Sequence, residues 1–497
     1  MHLVYVFIFL AVSCREARQL PRVAPAASPI EQPAGLESSK VAPSLPPSLD
    51  TDLPEPQVVA PEVEVVPSSP RAVVPLSLLA SRVFSHMTRA PQQFAEVATD
   101  FLSSRHSHLH DFIFTQNALE ARVRQIIAAA QHEIILVAPQ WKGQQGGLVD
   151  AVVDGLGEAS RKLGPTQKLE VKILLNGQSF SSLSSPADLL TDVNATFFAR
   201  FEKRALDLRK VVVKFSTTAV YPSGYSSLRA LIVDGRHALI APVGVYGSMP
   251  PPVNWSHVLG VHVEGPAVLG LMHIVDHIWH HDGVFWKCKA SCVKSLKTPK
   301  DAGRNWLYHG IQQQKWSVPV PLVPVLMLPY SSVQSKLGET TVADDVFIWS
   351  KVLQEARQSL LIQVQMLRNS SMLPSVVDAV QRGVKVQLLL AQPDPSLRDE
   401  LQSQLQRRGM DLDQARRHLS MLAVRFDSLQ VNPKQDFFST QMAIVDGQMV
   451  MVMDRSFGQQ LSVGSNGGVV VLMDSAAHAS HLREQFWDVN WQQGRQQ

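Results

Sequence analysis

"SSLRALIVDG" occupies Ser226–Gly235, and "FSTQMAIVDG" occupies Phe438–Gly447. Each is an apolar run with serine near its head and Asp-Gly at its foot, the pattern of a buried strand that ends in a tight turn. One strand written twice, about two hundred residues apart, points to a duplication.

The match extends outward from both copies. "ALEARVRQIIAAAQHEIILVAP" (Ala118–Pro139) reads as a helix followed by an apolar strand, and "FIWSKVLQEARQSLLIQVQM" (Phe347–Met366) has the same order. "LVDAVVDGLGEASRKLG" and "LEVKILLN" then parallel "LPSVVDAVQRG" and "VKVQLLLA", each a helix and a buried strand. "VVVKF" pairs with "LAVRF", and the two quoted strands follow, each turning into "RHALIAPV" or "QMVMVMDR". "VLGVHVEG" and "SNGGVVVLMD" close the halves as strands, before helices that end in "HIWHH" and "QFWDVNW". Strands alternating with helices in this way predict an α/β fold. A repeat of this size means two domains, not a solenoid.

Composition agrees. The 497 residues are 45% hydrophobic and 18% charged, as in a globular chain, and suit two cores of ordinary size. A net charge of +3 selects no class of partner. At the N-terminus, "LVYVFIFLAV" (Leu3–Val12) is too short to span a bilayer and fits a signal-peptide core. Residues 1–13 therefore read as an export signal, for a secreted, lumenal or periplasmic protein. The alternative is attachment to the membrane through this segment or a lipidated Cys14. Residues 14–75 are rich in Pro, Ser, Val and Ala without period, so we expect a disordered tether. Two domains follow, at 76–300 and 301–497.

The order of elements, the duplication and the strand ending in Val-Asp resemble the phospholipase D superfamily. Its signature, one copy per half, is His-x-Lys followed by four residues and Asp. This sequence has Ser227-x-Arg229-x4-Asp234 and Ser439-x-Gln441-x4-Asp446: spacing and aspartates are kept, both histidines and both lysines are not. Gly247-Ser248 and Asn254-Trp255-Ser256 stand where the family has comparable blocks, and Val258 stands where it has a glutamate. The layout is nearest to the lumenal or membrane-anchored branch of that superfamily. The resemblance implies two tandem α/β/α sandwich domains related by pseudo-two-fold symmetry, with both motifs facing one cleft.

It also implies a chemistry that these residues cannot support as written. In the family one histidine attacks phosphorus, the other protonates the leaving oxygen, and the lysines neutralise the phosphoryl oxygens. Serine cannot replace either histidine without a base beside it. Arg229 retains a cation able to grip phosphate through two hydrogen bonds, whereas Gln441 is neutral. The expectation is a non-catalytic protein that binds or scaffolds at the cleft, with a phospholipid or nucleic acid as the phosphate-bearing ligand. The alternatives are an active phosphodiesterase using the substituted residues, and an unrelated duplicated α/β protein of the cell envelope. Asp234 and Asp446 also fit a purely structural place in hairpin turns.

Other groups carry less. Cys288 and Cys292 fit a disulfide in an exported chain, or two thiols on one helical face. Asn194, Asn254 and Asn369 head triplets that fit glycan acceptors if the protein passes through a eukaryotic secretory route. His106, His108 and His110 would share a face if extended, but read as a polar loop. His277 and His281 lack the glutamate of a zinc helix. No cofactor or metal site is expected.

Overall fold

A computed structural model of the protein describes residues 74–89, 103–138, 147–176, 200, 204, 209–218, 224–226, 228–241, 259–277, 322–331, 344–364, 367, 372–390, 395–423, 441–453 and 465–496. The export segment, the Pro-rich stretch, Ser227, Ser439, Val258, both cysteines of the expected disulfide and the three glycan asparagines lie outside these residues, as do Gly247-Ser248, Asn254-Trp255-Ser256 and the His281 position. No helix among the described residues is long and apolar enough to cross a membrane.

Fifteen strands in the described residues make one mixed sheet. From the first half come β1 (Ser103–Ile113), β2 (Glu133–Ala138), β3 (Leu169–Asn176), β4 (Val211–Thr218), β5 (Gly224–Ser226), β6 (Ala230–Val233), β7 (His237–Ile240) and β8 (Gly260–Glu264). The second half adds β9 (Leu322–Ser331), β10 (Ser359–Val364), β11 (Lys385–Leu390), β12 (Leu419–Ala423), β13 (Gln441–Val445), β14 (Met449–Met453) and β15 (Ser465–Asp474). From edge to edge the order is β12-β11-β10-β13-β14-β15-β9-β1-β8-β7-β6-β2-β3-β4, and β5 pairs with the start of β15. The expected strands are present, but they do not form two separate sheets. Strands β1 and β9, which the sequence reading passed over, pair antiparallel and make the sheet continuous.

The local reasons are plain. Strands β2, β3 and β4 run parallel, as do β10, β11 and β12. Parallel neighbours need a crossover, supplied between β2 and β3 by helix α1 (Gly147–Lys162) and between β10 and β11 by helix α2 (Leu373–Gln381). Strands covered on both faces are mostly apolar, and β2, β13 and β14 are buried at every position, Glu133 and Gln441 being the polar exceptions at the heads of β2 and β13. Helix α3 (Gln116–Ala128) starts where Thr115 accepts a hydrogen bond from the Ala118 amide at 3.2 Å. It lies against α1, and together they cover one face of the first half, burying Leu119, Val123, Ile127, Val152 and Leu156 on Leu136, Leu231 and Leu239.

Strand β9 carries two prolines inside the sheet. Pro324 falls opposite the register break of β1 between Ser104 and Ser107, where the ladder is already interrupted. Pro329 lies beyond the last residue paired to β1 and faces only β15, opposite Val469. Neither costs a ladder bond on the β1 side, so the usual exclusion of proline from central strands does not apply there.

Candidate functional site

The two Asp-Gly turns are the same structure twice. Asp234 and Gly235 have φ of 52° and 59°, and Asp446 and Gly447 have 52° and 62°. The Arg236 amide closes the first turn on the Val233 carbonyl at 3.0 Å, and the Gln448 amide closes the second on the Val445 carbonyl at 2.9 Å. Positive φ at both central residues is the two-residue turn whose twist suits a hairpin, and Asp-Gly is among its preferred pairs. Each turn joins two adjacent antiparallel strands, β6 to β7 and β13 to β14.

The carboxylates reach sideways to the next strand. Asp234 accepts from the amides of Gln131, His132 and Glu133, each at 2.8 Å. Asp446 accepts from those of Arg357, Gln358 and Ser359 at 2.7 to 3.2 Å. Both aspartates thus gather three N–H groups at the head of the neighbouring strand, β2 or β10, and their own amides donate back to the Glu133 and Ser359 carbonyls. These contacts place the aspartates as braces that lock each hairpin onto the parallel strands.

Arg229 and Gln441 lie at the other end of the hairpins. Arg229 is half-buried just before β6. Gln441 opens β13 opposite Met453 and is fully buried. Its amide oxygen and nitrogen have no hydrogen-bond partner among the described residues. Strand β5, which ends one residue before Ser227, runs beside the start of β15, so the approach to the first motif lies against a strand of the second half.

The sequence model of a family described as "Cardiolipin synthase, PLD-like domain" matches residues 350–490, the span that contains the second hairpin. That match covers 141 of the 497 residues, all in the second half of the chain. The phosphatidylserine synthase of Haemophilus influenzae Rd KW20 is similar to this chain in fold, with a TM-score of 0.50, 12% identity, and 84% of this chain and 91% of that one covered. The polyphosphate kinase of Porphyromonas gingivalis gives a TM-score of 0.38 at 10% identity over 82% of this chain and 53% of that one. No curated protein sequence matches.

The structure also gathers residues that lie apart in the sequence. "RHSHLHD" is not a polar loop: it lies in β1, at the middle of the sheet, with Ser107 and His108 buried. The reason is its neighbours, β8 and β9, which take up its backbone on both sides. The β1–β8 register shifts between Leu109 and Asp111, which makes His110 an extra residue and ends the common face expected of His106, His108 and His110. His110 instead stacks on His262 of β8, with ring centroids 4.6 Å apart and planes at 15°. His262 Nε2 stands 3.3 Å from Nδ1 of His237 on β7. Glu264 accepts hydrogen bonds from His110 and from Arg236.

Burial sets the charge of this group. It lowers His237 to about 4 and His262 to about 2, the neighbouring imidazoles adding to the effect, so both rings are neutral at physiological pH. Burial alone would raise the Glu264 carboxyl, but the His110 and Arg236 hydrogen bonds outweigh it and hold it down at about 2. Alternation along "GVHVEG" does put His262 and Glu264 on one face. The register that brings His237 and His110 to them cannot be read from the sequence.

Proposed function

We propose that this is a phospholipase D-like protein without phosphodiesterase turnover, which keeps a cleft between two lobes for binding a phosphate-bearing ligand or for scaffolding. The lobes are tandem α/β/α units, 76–300 and 301–497, related by a pseudo-two-fold axis near the β1–β9 pair. In support, the strand order reads the same from both edges: β12, β11, β10, β13, β14, β15 and β9 answer β4, β3, β2, β6, β7, β8 and β1. The two motif strands, β6 and β13, hold matching places in that order.

Gln441 carries the reading. At the position where the family's second lysine would neutralise phosphoryl charge, this chain has a fully buried amide. An amide can donate a hydrogen bond to a phosphoryl oxygen, but it brings no positive charge to neutralise it, which is the part the family's lysine plays. The braced aspartates support the same reading, since their carboxylates are spent on backbone amides. Serine at 227 and 439 leaves no nucleophile and acid pair of the family's kind. Arg229 supplies the remaining cation, and charge-assisted bonds to a phosphate are worth about 1.5–3 kcal/mol. The ligand is a phospholipid or a nucleic acid, met after export or at a membrane to which the N-terminal segment leads.

The test is a chromogenic phosphodiester assay on the purified chain, paired with binding to vesicles of anionic phospholipid and to single-stranded oligonucleotide. Wild type should release no product, and Arg229→Ala should weaken binding about tenfold or more. If wild type hydrolyses the diester and Ser227→Ala or Ser439→Ala abolishes it, a serine-based mechanism replaces this reading.

A further inference from the structure

We propose that His110, His237 and His262 form a binding site for one divalent transition-metal ion of the zinc class, with Glu264 as the carboxylate that orients it. Each histidine has a ring nitrogen within 4.8 Å of one on each of the others. Nitrogens bound to a tetrahedral zinc at about 2.0–2.1 Å lie about 3.3 Å from one another. His262 and His237 already stand at that spacing, 3.3 Å between Nε2 and Nδ1. The third ring has to move inward by about 1.5 Å at most, a shift that side-chain rotation provides.

The chemistry of the donor set fits the same class. Imidazole suits zinc, copper and nickel, and it binds as the neutral ring. Glu264, bonded to His110 Nε2, has the place of the carboxylate that commonly backs a metal-bound histidine. The extra residue in β1 is what turns His110 toward the pair on β7 and β8, and bulges of this kind often re-aim a side chain at a site. Three histidines leave the fourth position open, and half-buried His110 marks the side from which an ion would enter.

Opposing charge is present and partly paired. Arg236 bonds to Glu264, and Arg122 bonds to Asp111 at 3.3 Å, so neither cation faces the histidines without a carboxylate. An ion bound here would tie β1, the strand at the seam of the sheet, to β8 and β7. It would sit at the turn end of the first hairpin, where His237 pairs with Val233, whereas Arg229 lies beyond the opposite end, so it would leave the proposed phosphate cleft to Arg229.

The full chain, dialysed against chelator, is titrated with Co2+ and followed by visible ligand-field absorption, then back-titrated with Zn2+. One equivalent should give the intense bands of a four-coordinate site, and Zn2+ should displace it. His110→Gln and His237→Gln should each weaken binding about tenfold or more, and Glu264→Gln about 10- to 100-fold. His86→Gln, outside the cluster, should leave it unchanged. Bound Zn2+ should also raise the unfolding midpoint of wild type but not of His110→Gln. His110 is half-buried, so its variant can be confirmed as folded by circular dichroism before titration. Absence of binding to wild type overturns the proposal, leaving a hydrogen-bonded histidine core. So does binding of one equivalent that survives His110→Gln and His237→Gln, since the ion then sits elsewhere.

Discussion

Asp446 has a structural task that does not depend on the residues five and seven places before it. In the family signature it stands seven residues from the histidine position and five from the lysine position. Here its carboxylate holds the amides of Arg357, Gln358 and Ser359 while its own backbone sits at φ 52°. Few side chains tolerate that conformation, and fewer also offer an acceptor. The hairpin alone therefore accounts for the aspartates, whatever the serines do. Asp446→Ala should lower stability by about 2 kcal/mol, read from urea midpoints, because three N–H groups lose their acceptor and alanine is strained at positive φ. Asp446→Asn should cost less, since asparagine tolerates the left-handed region and keeps one oxygen. Equal losses for the two variants would show that the carboxylate bonds contribute nothing.

At the scale of elements, the crossover units were readable and the seam was not. The helices α3, α1 and α2 and the strands β2, β3, β10 and β11 announce themselves through apolar period and length. Strands β1 and β9 do not. The first contains three histidines and five other polar residues, and the second contains two prolines, so both lack the pattern of a central strand. They are strands because partners on either side take up their backbone groups, with the prolines placed where β1 makes no pair with them. The motif positions were legible for the same reason as the crossover units: spacing and the Asp-Gly turn survive in the sequence. The histidine cluster was not, because it depends on the register between three strands. Packing between helices follows local rules that can be tested. Gly155 in α1 approaches α3 so closely that an added Cβ would meet Ile127 Cβ at 2.8 Å and the Arg124 carbonyl at 2.9 Å. Alanine gains about 1 kcal/mol of helix propensity but forces the two helices apart. Gly155→Ala should therefore destabilise by about 1–2 kcal/mol in thermal or urea unfolding. A gain in stability would mean that the helices separate without loss.

For the molecule as a whole, the consequence of one sheet is shared stability. In a chain of two independent domains, damage to one would leave the other's unfolding unchanged. Here β9 is bonded to β15 of its own half along seven register positions and to β1 of the other half along four. Leu326 sits at this seam, opposite Ser103 on one side and Leu472 on the other, and it is fully buried. Leu326→Ala opens a cavity there at a cost of about 2–5 kcal/mol. Native-state hydrogen exchange can follow β2 in the first half and β10 in the second, strands far from the substitution on opposite sides. Amides that exchange only through global opening report the stability of the whole cooperative unit. If the sheet is one such unit, protection should fall by the same factor in β2 and β10, and denaturant should give a single transition. If protection falls in β10 while β2 keeps its wild-type rates, the halves are energetically separate. The β1–β9 pair would then be a contact between domains and not the middle of a common core.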